Sequence, residues 1–340
     1  MPAEPWYSNT TGAEPEGDRQ RDETGGLKVT APPRAEPHSF PGGWLLSVAR
    51  LVKLWLAPKT LLLMAFGWYE AGGHGARDVE RLLYAFFAIG ILLWSGLYLL
   101  NEWCDLEDDR RRANKRDRPL AAGFVSPGVG LGLAVALIGG GMVMSCRLAW
   151  GLGALAGLMA LSQVLYCVPP ARLKHRAIFD VLTVAVANPL LRFSAGYFCV
   201  ANSVAVPLGA VAVLIGGHLA GALLLRLVSR ETDASYGHQT TCTALPSAWV
   251  KRGAVAAAVL CISAIVALSL AGDLGLPASF GSVPRQTLFV LVPLIGFVPG
   301  FLRLARSPES HNSRRVRAVF WSMLGVLGVA EFFVLLAYPR

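Results

Sequence analysis

The sequence predicts an all-α polytopic membrane protein with about nine transmembrane helices and a cytoplasmic N-terminus. Hydrophobic residues make up 54% of the 340-residue chain and charged residues only 16%, and the mean hydropathy is +0.49. A soluble domain typically has about 25% charged residues. After residue 43, long apolar stretches follow one another, and most basic residues lie in every second loop between them. These features are typical of a helical bundle that crosses a lipid bilayer.

The composition also excludes several classes of protein. So small a charged fraction excludes an ordinary soluble enzyme and a long disordered protein. The formal net charge is +9. In an apolar chain such an excess of Lys and Arg usually sets membrane topology, so we expect no nucleic-acid partner. The six cysteines include no C-x-x-C pair, which argues against a disulfide framework or a structural zinc site.

The chain divides into two segments at residue 43. Residues 1–43 are rich in Pro, Glu, Gly and Arg and show no apolar periodicity, which predicts a disordered cytoplasmic tail. This segment lacks the basic start and apolar core of a secretory signal. Residues 44–340 form the predicted transmembrane domain. Its nine predicted spans are Leu54–Tyr69, Leu82–Leu100, Gly128–Cys146, Gly151–Val168, Ile178–Val200, Val204–Leu227, Val250–Leu270, Leu288–Leu304 and Val316–Tyr338.

The distribution of Lys and Arg predicts the orientation of these spans. The loops after the second, fourth, sixth and eighth spans are the basic ones. The second loop alone carries Arg110, Arg111, Arg112, Lys115, Arg116 and Arg118. The positive-inside rule then places the N-terminus and all even-numbered loops in the cytoplasm.

An acidic motif follows directly on the second predicted span. It reads Asn101-Glu-Trp-Cys-Asp105-Leu-Glu-Asp-Asp109, so Asn101, Asp105 and Asp109 share one face if the helix continues. Such oxygen ligands suit Mg²⁺, which binds carboxylates together with substrate phosphates. The alternative is a solvated acidic helix end that pairs with the basic run after it. In that run Lys115 and Arg118 are suited to bind a diphosphate, although a basic run can also serve only to set topology.

A second polar cluster, Ser229-Arg-Glu231-Thr-Asp233, follows the sixth predicted span. By the same topology Glu231 and Asp233 lie on the cytoplasmic side, where two acidic clusters could hold two metal ions around one diphosphate. A lone E-x-D sequence is common in surface loops. This E-x-D sequence is a candidate site because it is predicted to lie on the same side of the membrane as the first motif.

Basic and polar residues lie between the two acidic clusters. The sequence Val-Pro-Pro-Ala-Arg172-Leu-Lys174 follows the fourth predicted span. Its two prolines end the helix, so we expect Arg172 and Lys174 at the cytoplasmic surface. Asp180, Asn188 and Arg192 lie within the apolar fifth span, where polar side chains normally face the interior of a bundle. Structural hydrogen bonding between helices is the alternative role for Asn188 and Arg192.

In these motifs the chain resembles the UbiA superfamily of intramembrane prenyltransferases. The family's first motif, N-(D/Q)-x-x-D-x-x-x-D with a later R-P-L-x-x-G, is similar to Asn101–Asp109 and Arg118–Gly123. Its Y-x-x-P-P-x-R-L-K element is similar to Tyr166–Lys174, and its D-x-E-x-D-x-x-x-G motif to Ser229–Gly237.

Two residues depart from the family pattern. Glu102 stands where the family usually has Asp or Gln, which is a mild change. Ser229 stands where the second motif begins with Asp. This removes one expected metal ligand and leaves Glu231, Asp233 and water for a second ion.

The resemblance implies a Mg²⁺-dependent prenyltransferase whose motifs lie on the cytoplasmic face of the membrane. The implied catalytic residues are Asp105, Asp109 and Asp233. The implied metal ligands are Asn101, Asp105, Asp109, Glu231 and Asp233. The implied substrate-binding residues are Lys115, Arg118, Tyr166, Arg172, Lys174, Asp180, Asn188 and Arg192. The implied partners are a prenyl diphosphate donor, a lipophilic or aromatic acceptor, and membrane lipid.

Three activities are compatible with this resemblance. The first is ionisation of a polyprenyl diphosphate and transfer of the prenyl group to an aromatic or quinone-precursor acceptor. The second is a membrane-bound terpene cyclase, in which double bonds of the same chain capture the cation. The third is transfer of phosphoribose to a polyprenyl phosphate, which the residues around Lys115 and His175 resemble and the second motif does not. A transporter or scaffold is the non-enzymatic alternative, but transporter sites tend to lie near the bilayer midplane.

Removal of residues 1–43 should leave activity intact, because this segment contains none of the motifs. The check is the turnover of the truncated and full-length proteins, purified in the same detergent. A folded but inactive truncation would show that the tail takes part in catalysis.

Overall fold

The computed structural model describes residues 51–112 and 115–306, together with Ser322 and Gly325. Within these residues the regular structure is entirely helical, which confirms the predicted all-α class. The predicted tail lies outside the described residues. So does the predicted ninth span, Val316–Tyr338, apart from Ser322 and Gly325.

Eleven α-helices make up the described part of the chain. They are α1 (Ala57–Glu70), α2 (Ala76–Cys104), α3 (Leu106–Arg111), α4 (Pro127–Leu148), α5 (Trp150–Cys167), α6 (Phe179–Ala201), α7 (Leu208–Val228), α8 (Arg230–Ser235), α9 (Thr241–Ala244), α10 (Ser247–Ser269) and α11 (Leu291–Arg306). Short 3-10 helices lie at Leu54–Leu56, Leu173–His175, Ala278–Phe280 and Arg285–Val290. Turns of π-helix occupy Phe86–Leu93 in α2 and Thr183–Ala187 in α6.

Six of these helices, α2, α4, α5, α6, α7 and α10, are long and apolar enough to cross a membrane. They correspond to the second to seventh predicted spans, which supports a multi-pass integral membrane protein. The helices at the first and eighth predicted spans are shorter than the six: α1 has 14 residues and α11 has 16. A straight span needs about 20 residues. The total of nine spans stays a prediction.

Helix α2 is longer than the apolar run that predicted it. The sequence indicated Leu82–Leu100, whereas the helix runs from Ala76 to Cys104 and has 29 residues. Its ends carry charged residues that lower the local hydropathy without breaking the backbone hydrogen bonds. The extra turn at the C-terminal end carries Asn101, the first residue of the acidic motif, on the helix itself.

Prolines define where several helices begin. Pro58 and Pro127 lie in the first turns of α1 and α4, and Pro207 and Pro246 directly precede α7 and α10. A proline suits the start of a helix because the first turn has no use for its missing N–H donor. In α6 the interior Pro189 lies two positions after the π-helical turns, a place where the helical hydrogen-bond pattern is already altered.

Three helix pairs pack backbone against backbone through glycines. A Cβ added at Gly196 of α6 would lie 1.8 Å from the Met64 carbonyl oxygen of α1, and one at Gly67 of α1 would lie 2.0 Å from the Phe193 carbonyl oxygen. Gly96 and Gly141 make similar contacts between α2 and α4, and so does Gly216 between α7 and α10. Small residues of this kind allow close approach of membrane helices.

The segments that join α2 to α4, α5 to α6, and α7 to α10 meet at one end of the bundle, which we call the site end. Their side chains make direct contacts: Arg172 with Asp108, and Arg112 with Asp233. These segments are three of the four basic loops that the charge pattern predicts to share a side. The prediction that successive spans cross the membrane in alternating directions would bring these three loops to the same end, as observed.

We expect Gly196→Ala to destabilise the protein by about 1–3 kcal/mol, because the new methyl group has no room against α1. Gly139→Ala is the matched control, since Gly139 lies on an exposed face of α4 with nothing within 4 Å of an added Cβ. Thermal unfolding midpoints in the same detergent compare the two variants. Equal midpoints would contradict the close α1–α6 contact.

Candidate active site

A polar cavity of about 200 Å³ lies at the site end. Three segments form its walls: the end of α2 with α3 and the residues after it, the turn after α5, and the end of α7 with α8 and the loop beyond. The lining side chains all carry a polar or charged group. They are Asn101, Asp105, Asp108, Asp109, Arg112, Lys115, Tyr166, Lys174, His175, Arg226, Asp233 and His238. The walls therefore offer charge and hydrogen bonds but little apolar surface.

Asp105 lies where α2 gives way to α3. The chain bends slightly there, yet Asp105 N donates to Asn101 O and Asp109 N donates to Asp105 O, so the three motif residues still follow one another at helical spacing. Lys174 forms a short ion pair with Asp105 and lies 3.4 Å from Asn101 Oδ1. Burial alone would raise the pKa of Asp105, but attraction to Lys174 and other nearby cations holds this pKa below its usual value.

Asp109 is the most deeply buried carboxylate of the first motif, with 1% of the residue exposed. Its Oδ2 atom accepts a hydrogen bond of 2.6 Å from Arg118, and Lys115 Nζ lies 3.4 Å from its Oδ1 atom. Oδ1 accepts no hydrogen bond from any residue that the structure describes. The cation beside this oxygen is therefore the Lys115 ammonium group, at ion-pair distance and without a hydrogen bond.

Arg226, near the end of α7, contacts residues of three other helices, α5, α6 and α8. Its Nε atom lies 3.2 Å from Asp180 Oδ2, and its Nη1 atom lies 3.6 Å from Asp233 Oδ2. It also donates a hydrogen bond of 3.1 Å to the Tyr166 hydroxyl. Asp233 receives a further contact of 3.1 Å from the Ser229 hydroxyl. Three residues predicted from different motifs are thus held around one guanidinium group.

Asp180 fixes the start of α6. Its Oδ1 atom accepts hydrogen bonds from the backbone N–H of Thr241, at 3.2 Å, and from the Thr241 hydroxyl. The same hydroxyl lies 2.8 Å from the backbone nitrogen of Ile178, which has a positive φ of 73°. A β-branched residue rarely adopts this conformation, so the contacts of Thr241 hold a strained turn beside the cavity.

Five lining residues were not among the predicted site residues: Asp108, Arg112, His175, Arg226 and His238. The first three lie inside or next to the quoted motifs. Arg226 could be suspected only as a charged residue near the end of an apolar span. His238 directly follows the second motif, and no pattern in the sequence connects it to His175, although the two rings are 3.9 Å apart.

His175 and His238 are neutral at physiological pH. Burial, reinforced by His238 and nearby cations, lowers the pKa of His175 to about 4, and burial with the neighbouring Arg112 also lowers the pKa of His238. Ligand atoms of these two histidines and Asp108 lie within 4.8 Å of one another. However, Arg172 already bonds Asp108 at 2.9 Å and Arg112 lies 3.1 Å from His238 Nδ1, so cations already occupy this cluster.

Six predicted residues do not line the cavity. Arg118, Arg172 and Asp180 lie directly behind it, each in contact with a lining residue. Glu231 is exposed on α8.

Asn188 and Arg192 lie deeper in the bundle. Arg192 is 12 positions beyond Asp180 in α6, which corresponds to about 18 Å along the helix. Its guanidinium carbon lies 3.5 Å from the ring centre of Trp94, and its Nη1 atom lies 3.3 Å from the Asn188 carbonyl oxygen.

Comparison with known proteins identifies the family. A model of the UbiA prenyltransferase family matches residues 57–324, which is well over half of the chain. The chain belongs to this family. It is therefore an enzyme of the group-transferring kind, as the motifs predicted.

Two curated relatives carry a more specific name. The decaprenyl-phosphate phosphoribosyltransferase of Mycolicibacterium smegmatis is 32% identical over 141 residues, which cover 41% of this chain and 43% of the relative. The enzyme of the same name from Corynebacterium glutamicum is 36% identical over 104 residues, which cover 30% of each chain. The chain thus spans less than half the length of the curated relatives that it matches.

A solved structure shares the fold. The UbiA homolog from Archaeoglobus fulgidus, bound to GPP and Mg²⁺, has a TM-score of 0.63 at 15% sequence identity. The match covers 85% of this chain and 99% of that chain. At this identity the likeness shows the common UbiA fold alone.

The first motif suits the Mg²⁺ ion that the UbiA family implies. Asn101, Asp105 and Asp109 bring oxygen atoms to one cavity, and the Oδ1 atom of Asp109 is buried without a hydrogen-bond donor among the described residues. A hard cation prefers such oxygen ligands. In the second motif Glu231 is exposed and does not line the cavity, so Asp233 remains and this cluster provides fewer ligands.

We expect Asp109→Asn to lower turnover roughly a hundredfold or more, because it removes the charge of the buried carboxylate that faces the cavity. Glu231→Gln is the control and should stay close to wild type, since Glu231 is exposed and does not line the cavity. Initial rates at saturating Mg²⁺ provide the comparison, with size-exclusion profiles to verify folding. Similar losses in both variants would contradict this assignment.

Proposed function

We propose that this protein transfers a phosphoribosyl group from phosphoribosyl diphosphate to a polyprenyl phosphate in the membrane. This was the third of the activities that the motifs allowed. The names of the curated relatives support it. The polar lining of the cavity supports it independently, because ribose and phosphate groups need charge and hydrogen bonds and no apolar walls.

The charge around the cavity matches a donor with several phosphate groups. Four carboxylates and four cations line it, and Asp180 lies directly behind with two more cations. The six cations are Arg112, Lys115, Arg118, Arg172, Lys174 and Arg226. Phosphoribosyl diphosphate carries one more phosphate group than a prenyl diphosphate, at the far end of its sugar. Arg and Lys bind phosphate through charge-assisted hydrogen bonds. Six cations around one cavity therefore suit a donor that carries three phosphate groups.

The proposed reaction breaks the bond between C1 of the ribose and the diphosphate oxygen. Diphosphate leaves with the bonding electrons, and a phosphate oxygen of the lipid forms the new bond to C1. The lipid phosphate is a monoester with a second pKa of about 6, so it is already ionised near neutral pH. The acceptor then has no proton to lose, and a general base is unnecessary.

The residues of the first motif would hold a Mg²⁺ ion through Asn101, Asp105 and Asp109. When bound, this ion neutralises charge that develops on the leaving diphosphate. Lys174, which pairs with Asp105, lies beside the same oxygen atoms and can bind a phosphate of the donor. Lys115 and Arg118 occupy the equivalent position beside Asp109. Fixed cations of this kind stabilise the leaving group without rearrangement during the reaction.

The positive-inside pattern of the sequence predicts that the site end faces the cytoplasm. A water-soluble donor such as phosphoribosyl diphosphate would then enter the cavity from the cytoplasm. The lipid phosphate would approach from the membrane, with its headgroup at the level of the cavity and its hydrocarbon chain among the helices or the surrounding lipid.

The experiment that tests this function supplies the purified protein with Mg²⁺, phosphoribosyl diphosphate labelled in its ribose, and decaprenyl phosphate in detergent. We expect label to enter the lipid phase only when both substrates are present. Asp109→Asn should abolish this incorporation. Mass spectrometry of the product should show a phosphoribosyl group joined to the lipid phosphate.

Two parallel reactions examine the activities that the motifs also allow. One supplies a prenyl diphosphate with an aromatic acceptor, and the other supplies a prenyl diphosphate alone. A prenylated aromatic product would identify a transferase of the prenyl group. A cyclic hydrocarbon or alcohol would identify a terpene cyclase. Either product, without incorporation of ribose into lipid, would overturn the proposed function.

A further inference from the structure

We propose that Arg226 takes the place of a second divalent cation, so that the enzyme works with a single Mg²⁺ ion held by the first motif. This inference deepens the proposed function, since it concerns the same site. It rests on the position of Arg226 among the carboxylates, and on the serine that stands in the second motif.

The second motif has lost one carboxylate. In the family pattern described above it begins with Asp, whereas here it begins with Ser229. The Ser229 hydroxyl lies 3.1 Å from Asp233 Oδ2 and also within 3.3 Å of the carbonyl oxygens of Leu225 and Arg226. A neutral hydroxyl that already hydrogen-bonds to these neighbours is a poor substitute for an ionised carboxylate as a metal ligand. The motif is left with Asp233, because Glu231 is exposed and lies outside the cavity lining.

Arg226 precedes Ser229 by one helical turn, so both residues lie on the same side of α7. From there its guanidinium group reaches Asp180 at 3.2 Å and Asp233 at 3.6 Å. The side chains of these two carboxylates are 0% and 5% exposed, respectively. They belong to different helices, α6 and α8, and would repel each other without a cation between them. The guanidinium group already fulfils this role.

The exchange also preserves the charge of the site. A carboxylate with a divalent cation has the same net charge, +1, as a serine with a guanidinium group. Replacing the pair Asp and Mg²⁺ by the pair Ser229 and Arg226 therefore leaves the electrostatic environment of a bound diphosphate unchanged to a first approximation. A guanidinium group can bind phosphate oxygens through two parallel hydrogen bonds, and arginine stabilises a leaving phosphate in this way in other phosphate-transferring enzymes.

The first motif retains more ligands than the second. Its buried Asp109 has Lys115 and Arg118 beside it, just as Asp233 has Ser229 and Arg226 next to it. Arg112, at 3.9 Å, adds a further positive charge beside Asp233. Both motifs thus carry cations, and they differ in the number of ligands: the first brings Asn101, Asp105 and Asp109 to the cavity, and the second brings Asp233 without Glu231.

The experiment counts the ions that bind to the full-length protein in detergent. Mn²⁺ serves as a paramagnetic substitute for Mg²⁺, inorganic diphosphate occupies the leaving-group position, and electron paramagnetic resonance measures the free ion. We expect one Mn²⁺ per chain in the wild-type protein. In the double variant Arg226→Met with Ser229→Asp, the guanidinium group is absent and the carboxylate is restored, so the bound Mn²⁺ should double to two.

Matched variants separate the effect of Arg226 from general loss of charge. Arg230→Met removes a neighbouring arginine that bonds Ser247 and does not line the cavity, and it should still bind one ion. Ser229→Asp alone should also bind one, because Arg226 remains in place. The thermal stability of the double variant should rise with Mn²⁺ more steeply than that of the wild-type protein, since a metal then pairs the buried carboxylates.

Several outcomes would overturn the proposal. Two ions in the wild-type protein would contradict it directly, and this measurement requires no variant. A folded double variant that still binds one ion would show that Arg226 does not occupy a metal position. Because diphosphate is common to ribosyl and prenyl donors, the count is valid whichever group the enzyme transfers, and its failure is distinguishable from failure of the proposed function.

Discussion

The arrangement of the site end depends on ion pairs that compensate buried carboxylates. Asp109, Asp180 and Asp233 are almost fully buried, yet each lies beside at least one Lys or Arg side chain. A carboxylate withdrawn from water is unstable without such a partner. Since α6, α7 and α8 all contribute to the contacts of Arg226, the ends of these helices must stay together for the charges to remain paired.

The same pairs leave the cavity ready for a charged ligand. Cations and carboxylates both line its walls, so the opposite charges that a metal ion and a polyanion require are already assembled. The helices beneath are held by glycine contacts and by a core that includes Trp94, Phe193 and Met159. The rigid part of the protein thus lies within the bundle, while the segments that bring reactive side chains together lie at its end. This division is common where function requires precise placement of side chains.

Much of this organisation was readable from the sequence, for definite physical reasons. The apolar lengths located the six helices that can cross a membrane, because burial in lipid requires them. Helical spacing related Asn101 to Asp105 and Asp109, since local geometry fixes their separation. Arg226 was missed because its partners, Asp180 and Asp233, come from α6 and α8, and only the packing of those helices brings the three together. Polarity alone likewise identified Arg192 and Asn188 as unusual but did not reveal that Arg192 packs against the ring of Trp94 in α2.

The glycine contact between α1 and α6 has a consequence for the proposed lipid substrate. Backbones that touch at Gly67 and Gly196 leave no gap between the two helices at that level, so a polyprenyl chain would have no passage there. The α2–α4 and α7–α10 pairs are closed in the same manner near their glycines. For the proposed lipid, entry would then be between helices that meet through side chains, which can change rotamer and return.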